Sequence, residues 1–575
     1  MSQPQQPESF LAADIGSTLT RVCLIDRVEG IYRLVARSQH PTRGEDGIDA
    51  KQAVVGAVRR LEEIAHRTLL DDAGEMISPE RDDGTGVDAM VACSSAAKPL
   101  RCAVIGLTAD LSLQGAVRAC TGALAQATTT LALGALRRAA ELAPLLGLAD
   151  SPPEAIILSG GFDNGPIAPL TAGAELLAAV LADLPAHERP VIIYAGNQEA
   201  RRPVARALGD DLTLAVVDNV RPSEGIESPR ELQRELLRLY GERLQLVPGM
   251  AALQRWCSVP VQSSPDALAL ALQYLAKRHD PSTSLLGVDV GGNHTAVIGV
   301  GKRGVNLTLR GGLGTAAGLD GVLASASLDD LRRWLPLDVS LDTLTAYLEN
   351  ARLWPFTLPQ TLDDLLALQA AAREALRQTF AEWQAASLAE PLRLDLIAGR
   401  GGVLSGCPHP GLVALMLLDG LQPVGLAQLV YDRDSVWPQL GAVAAVAPLA
   451  ASQVLNRDGL AHLGTALCLS GSVRTGERAL RLRLETPGGP DHTYEVAAGE
   501  VRCVPLPSDA EASVKLWPHP RLDVGLGPGA PAQAQVQGGA LGLIIDARGR
   551  PLQVSADPQE RAAAQRRWNN GLGRR

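Results

Sequence analysis

Two short stretches of this chain share one pattern: Asp14-Ile-Gly-Ser-Thr-Leu-Thr20 and Asp289-Val-Gly-Gly-Asn-His-Thr295. In each, an apolar run ends on aspartate, glycine follows two residues later, and an apolar run resumes. Glycine allows a tight turn and lets the backbone approach an anion without a Cβ in the way. Successive N–H groups in such a turn form an anion-binding concavity. Gly16, Ser17, Thr18, Thr20, Gly291, Gly292 and Thr295 are therefore candidate nucleotide-phosphate contacts. A carboxylate avoids phosphate, so Asp14 and Asp289 are the candidate catalytic carboxylates, holding magnesium through water. One such turn alone is an ordinary hairpin. Two of them, each flanked by strands, can grip one triphosphate from both sides. His294 is either a phosphate contact or a structural loop histidine.

A third glycine cluster, Gly399-Arg-Gly-Gly402, follows the apolar run LDLIA. A buried strand that ends in glycines and leads toward a helix is a place for a nucleoside, with Gly401 and Gly402 beside adenosine. Close packing is the other use of those glycines. The turn Ser159–Gly165 reads as a hinge or a partner contact.

The elements that must position these residues follow from periodicity. SFLAADIG, TRVCLID and IYRLVARSQH read as strands, DAKQAVVGAVRRLEEIAHRTL as an amphipathic helix, and VDAMVACSSA and RCAVIGLT as two further strands. The Ala/Leu-rich stretch Leu113–Leu146 reads as helical, and AIILSGG, RPVIIYAGN and LTLAVVDNV as strands alternating with helices. SLLGVDVGGNHTAVIGVG reopens the first theme. After about residue 465 short alternating strands read as a separate β domain. The expected divisions are 1–84 (N-terminal part of the first lobe), 85–275 (inserted α/β region and remainder of the first lobe), 276–464 (second lobe) and 465–575 (β-rich C-terminal domain).

Composition narrows the class. The chain has 575 residues, 46% of them hydrophobic, and a net charge of -10, which argues against a nucleic-acid partner. Its eight cysteines form no Cys-x-x-Cys pair, and its nine histidines show no ligand spacing, so no metal but magnesium is expected. The N-terminus reads as lacking a secretory signal, no apolar run reaches membrane-spanning length, and a cytoplasmic protein is the expectation.

The order of first phosphate loop, second phosphate loop and adenosine loop resembles the superfamily of actin, heat-shock ATPases and sugar kinases. The resemblance implies an α/β fold with two actin-like, ribonuclease H-like lobes, an inserted α/β domain and a C-terminal β domain. The series ADIGSTLTRVCLID, CSSAAKPLRCAVIGL, IILSGGFDNG, VIIYAGN and LVPGM narrows it. These motifs resemble the glutamate mutase accessory proteins of the MutL/GlmL type, over roughly residues 10–450. That family implies ATP and magnesium as cofactors and subunits of an adenosylcobalamin-dependent mutase as partners. The implied role is a reactivating, chaperone-like one in which nucleotide state sets lobe position.

Two positions depart from the superfamily pattern. Ala296 stands where an acidic residue is usual, and Arg400 where a small one is. Both bear on hydrolysis more than on binding, so weak ATPase turnover stays open, as does homo-oligomerisation. A non-hydrolysing scaffold and a small-molecule kinase are the alternatives. The dispersed cysteines argue against a dehydratase-activating ATPase with a bridging iron–sulfur cluster.

Overall fold

The computed structural model describes residues 7–44, 47–135, 143–280, 282–302, 304–336, 339–356, 358–386 and 393–573. The chain divides into two compact units: 1–96, 247–307 and 312–575 in one, 97–246 and 308–311 in the other.

The first unit begins with strands β1 (Ser9–Ile15), β2 (Leu19–Val28) and β3 (Ile31–Pro41), joined as consecutive antiparallel neighbours. Strand β4 (Ala89–Ser94) lies parallel to β1 on its other side. All seven residues of β1 are buried. Phe10 and Ala12 pack into one core cluster, and Leu11, Ala13 and Ile15 into another. Alternate residues thus face opposite layers, which is why the strand reads as a continuous apolar run rather than an alternation. The helix Ala50–Ala65 covers one layer with Ala50, Ala53, Val54, Ala57, Val58 and Leu61, spaced three and four apart. Asp49 caps its N-terminus by accepting from the Gln52 N–H, and His66 closes it in the left-handed conformation.

The second unit is a parallel sheet of β5 (Leu100–Gly106), β6 (Ala125–Ala132), β7 (Ala155–Ser159), β8 (Val191–Tyr194) and β9 (Leu214–Val216). Their spatial order is β6-β5-β7-β8-β9. Every pairing is parallel, as in a doubly wound domain. Here the structure corrects one expectation. Within Leu113–Leu146, the helix spans only Gln114–Thr121 before β6 begins. Three consecutive threonines, Thr128–Thr130, lie in β6, and their branched side chains favour the strand that β5 templates. Residues 136–142 of that stretch lie outside the described residues.

The chain re-enters the first unit at residue 247, and β10 (Gln262–Ser263) then completes the order β10-β4-β1-β2-β3. The same plan repeats in β11 (Leu285–Val290), β12 (His294–Gly301), β13 (Gly304–Gly311), β14 (Leu396–Arg400) and β15 (Gly425–Tyr431). Their order is β13-β12-β11-β14-β15, with β11 antiparallel to β12 and parallel to β14. Both sheets are therefore ribonuclease H-like: three meandering strands, then two parallel ones reached through crossovers.

Beyond β15 the second sheet continues through β16 (Ala461–Cys468). The strands that follow are β17 (Arg478–Glu485), β18 (His492–Ala497), β19 (Val501–Val504), β20 (Glu511–Pro518), β21 (Ala532–Gln537) and β22 (Leu543–Asp546). Of these, β22 and β19 extend the lobe's own sheet to eight strands. β18-β17-β20-β21 form a separate antiparallel sheet. Leu480, Leu482, Val514 and Leu516 from this small sheet share a core with Leu467 and Ile545 of the large one.

Candidate functional site

The two acidic hairpins close by the same bond. Gly16 N–H donates to the Leu19 carbonyl at 3.1 Å, and Gly291 N–H donates to the His294 carbonyl at 2.9 Å. A Cβ on either glycine would lie 2.9 Å from the carbonyl oxygen it bonds, so the turn requires glycine at both places. The tips approach each other: a Cβ on Gly292 would lie 3.0 Å from Thr18 Oγ1. A glycine-rich loop, Gly-Leu-Gly-Thr-Ala-Ala-Gly at 312–318, wraps the second tip. The N–H groups of Thr315, Ala316 and Gly318 donate to the carbonyls of Gly291 and Gly292.

Gly16, Ser17, Thr18, Gly291 and Gly292 are partly exposed at these tips. Thr20 and Thr295 are buried, and their hydroxyls serve the fold. Thr20 Oγ1 pairs with Thr42 Oγ1 at 2.9 Å, and Thr295 Oγ1 donates to the Leu313 carbonyl at 2.9 Å. Gly401 has φ +123°, and a Cβ there would lie 2.1 Å from the Val290 carbonyl oxygen. That glycine lets the chain after β14 cross directly over the end of β11. Gly402 is exposed, 3.6 Å from Arg21 Nη2 measured at an added Cβ.

Register explains what lies between the hairpins. Asp14 is directly opposite Arg21 on β2 and beside Cys93 on β4. Asp289 is opposite Ala296 on β12 and beside Arg400 on β14. Arg400 joins the two halves: its Nη2 donates to Asp14 Oδ2 at 2.6 Å and its Nη1 to Asp289 Oδ2 at 2.5 Å. Its Nε lies 3.5 Å from Asp432 Oδ2. Arg400 and all three carboxylates are buried. Asp14 Oδ1 accepts from Ser264 Oγ at 2.6 Å, at the start of the helix Ser264–His279. Asp432 also caps the helix Trp437–Ala444, accepting from the Val436 and Trp437 N–H groups at 2.9 Å each.

The electrostatics follow from burial and these pairings. Burial alone would lower the Arg400 guanidinium, but Asp289, Asp14 and Asp432 reverse this and hold it above its ordinary value. Burial pushes Asp432 up to about 6, against the pull of Arg400 and the two backbone donors. Burial lowers His294, with Asp289 opposing and Arg400 assisting, which favours the neutral imidazole at pH 7. Burial also lowers Arg21, and Arg400 adds to this. The Cys93 thiol is pushed up by burial first and by Asp14 second, so it is no nucleophile. Arg21 lines a cavity of about 290 Å³ together with Arg37, Arg60 and Asp434.

The donor set does not fit a magnesium ion between Asp14 and Asp289. Both oxygens of Asp14 and one of Asp289 already accept hydrogen bonds, leaving Asp289 Oδ1 as the buried oxygen without a partner. Octahedral magnesium draws on one or two carboxylates with free oxygens. The position between the carboxylates holds a guanidinium, and no group of three or more His, Cys, Asp or Glu capable of holding a metal occurs among the described residues.

Two ribonuclease H-like lobes that present matched acidic hairpins to each other define an actin-like ATPase fold. The chain belongs to the MutL protein family, whose family model matches residues 10–458. A relative from Clostridium tetanomorphum, "Protein MutL", is 26% identical over 297 residues, half of this chain. The match spans 57% of that relative's length. Among solved structures, nucleotide-free acetone carboxylase aligns at 11% identity over 86% of this chain and 81% of its own, with a TM-score of 0.37. Xylulose kinase from Bifidobacterium adolescentis aligns at 12% identity over 80% and 96%, with a TM-score of 0.28.

Proposed function

We propose that the protein binds ATP between the hairpins at 14–20 and 289–295, with Gly401 and Gly402 beside the adenosine. In this reading nucleotide state sets the angle between the lobes, and that angle is transmitted to an adenosylcobalamin-dependent mutase of the glutamate mutase type. The protein acts as the mutase's reactivating accessory factor, helping it exchange damaged cobalamin. The observation that carries this reading is the repeated hairpin: the same glycine-closed turn, the same aspartate register and tips that approach each other. Arg400 of the second lobe holds Asp14 of the first, so a change in lobe angle must break or remake a buried ion pair. That is the kind of discrete contact on which a two-state switch rests.

Chemistry at the site is expected to be slow. Asp14 has both carboxylate oxygens engaged, and Ala296 presents no polar atom opposite Asp289. Asp14 has no oxygen free to orient an attacking water and Ala296 supplies none, which leaves only the buried Asp289 Oδ1 and favours a factor that works by binding over one that turns ATP over rapidly.

The test is reactivation. A mutase blocked with hydroxocobalamin is incubated with this protein, free adenosylcobalamin and ATP. Recovery of mutase activity that requires both protein and ATP is the expected result. Equal recovery without ATP, or none at all, overturns the assignment. A non-hydrolysable ATP analogue that supports one round of recovery would match the slow chemistry.

A further inference from the structure

We propose that Arg400 is the resident cation of the phosphate site, so that this protein takes its phosphoryl ligand without a divalent metal. The inference deepens the nucleotide reading above, and its first test does not depend on it. In the second lobe, strand register sets Arg400 beside Asp289; the matching position beside Asp14 in the first lobe is Cys93. Arginine at that one position reaches both hairpins, 2.5 Å from Asp289 Oδ2 and 2.6 Å from Asp14 Oδ2. A guanidinium is a permanent cation whose planar fork can serve two carboxylates at once. It places one positive charge between the two carboxylates, where a bridging dication would bring two, and it cannot be chelated away. Ser264 fills the remaining oxygen of Asp14, and Asp432 adds a third carboxylate, 3.5 Å from the guanidinium Nε.

A second guanidinium points to the ligand. Arg21 is half-buried beside Gly402, and its guanidinium makes no hydrogen bond or ion pair among the described residues. Its donors remain available to phosphate oxygens at the mouth of the site. The buried, unpartnered Asp289 Oδ1 marks the one carboxylate oxygen that a metal could still reach. A metal there would sit against the guanidinium, cation beside cation.

Manganese, read by electron paramagnetic resonance, tests this on the full chain without nucleotide. Wild type is expected to leave the free-ion signal unchanged. Arg400→Ala is expected to bind one manganese per chain, and Asp289→Asn in that background to abolish it. Wild-type binding of one manganese that Asp289→Asn removes overturns the proposal, as does an Arg400→Ala variant that folds by circular dichroism yet binds none. Should Arg400→Ala fail to fold, Arg400→Ser and the wild-type result decide. In a second arm, calorimetry compares ATP affinity in EDTA and in magnesium. A change of less than about threefold is expected, and a fall of tenfold or more in EDTA contradicts the proposal. Absence of ATP binding in both buffers defeats the nucleotide reading, while the manganese arm still decides this one.

Discussion

Replacing Arg400 with methionine removes the one group that contacts Asp14, Asp289 and Asp432 together. Breaking a buried ion pair from one side costs about 3–5 kcal/mol, because the abandoned charges stay buried. Asp432 gives the effect a pH signature. Its carboxyl is pushed from an ordinary 3.8 up to about 6, chiefly by burial, with Arg400 holding it down. Between those values the folded state carries more protons than the unfolded chain, so this group's contribution to stability falls as pH rises. A shift of about two pH units corresponds to about 3 kcal/mol. Without Arg400 the carboxyl rises further, and its penalty grows across the neutral range. The variant is therefore expected to be most destabilised at pH 8 and to approach wild type toward pH 5. Urea unfolding followed by tryptophan fluorescence reads this, since the buried Trp437 donates its backbone N–H to Asp432. A variant as stable as wild type at pH 8, or a gap that widens as pH falls, would refute the reasoning.

Other outcomes follow from single contacts. Gly401→Ala places a methyl 2.1 Å from the Val290 carbonyl at φ +123°, and backbone strain alone is expected to lower stability by about 1–3 kcal/mol, read by the denaturation midpoint. Ser264→Ala leaves the buried Oδ1 of Asp14 with only the weak thiol donor Cys93 Sγ at 3.6 Å and is expected to destabilise by about 1 kcal/mol, with Ser264→Thr recovering part of the loss. Gly292→Val crowds Thr18 and Ala316 at the approaching tips, so ATP affinity by calorimetry is expected to fall at least tenfold while circular dichroism stays unchanged.

The hairpins were legible in sequence because their chemistry is local: an aspartate, then a glycine that the Gly16–Leu19 and Gly291–His294 turns require. The lobe strands were legible because burial on both faces makes β1 and β11 continuous apolar runs. β6 was not, since an edge strand of alternating exposure owes its form to pairing with β5. Arg400 was visible only as a departure from pattern. Its reach to both aspartates depends on the parallel register of β14 against β11 and on the two lobes meeting. Ser264 and Asp432 arrive from far along the chain and carried no local signal. Thr20 and Thr295 looked like phosphate donors, because their partners Thr42 and Leu313 come from outside the hairpins.

The most direct measurement is hydrogen–deuterium exchange of the full chain with and without saturating ATP. Peptides covering 14–20 and 289–295 are expected to gain protection together, since both tips would enclose one nucleotide. Protection of one hairpin alone, or of neither while ATP is bound elsewhere, would contradict a nucleotide held between them.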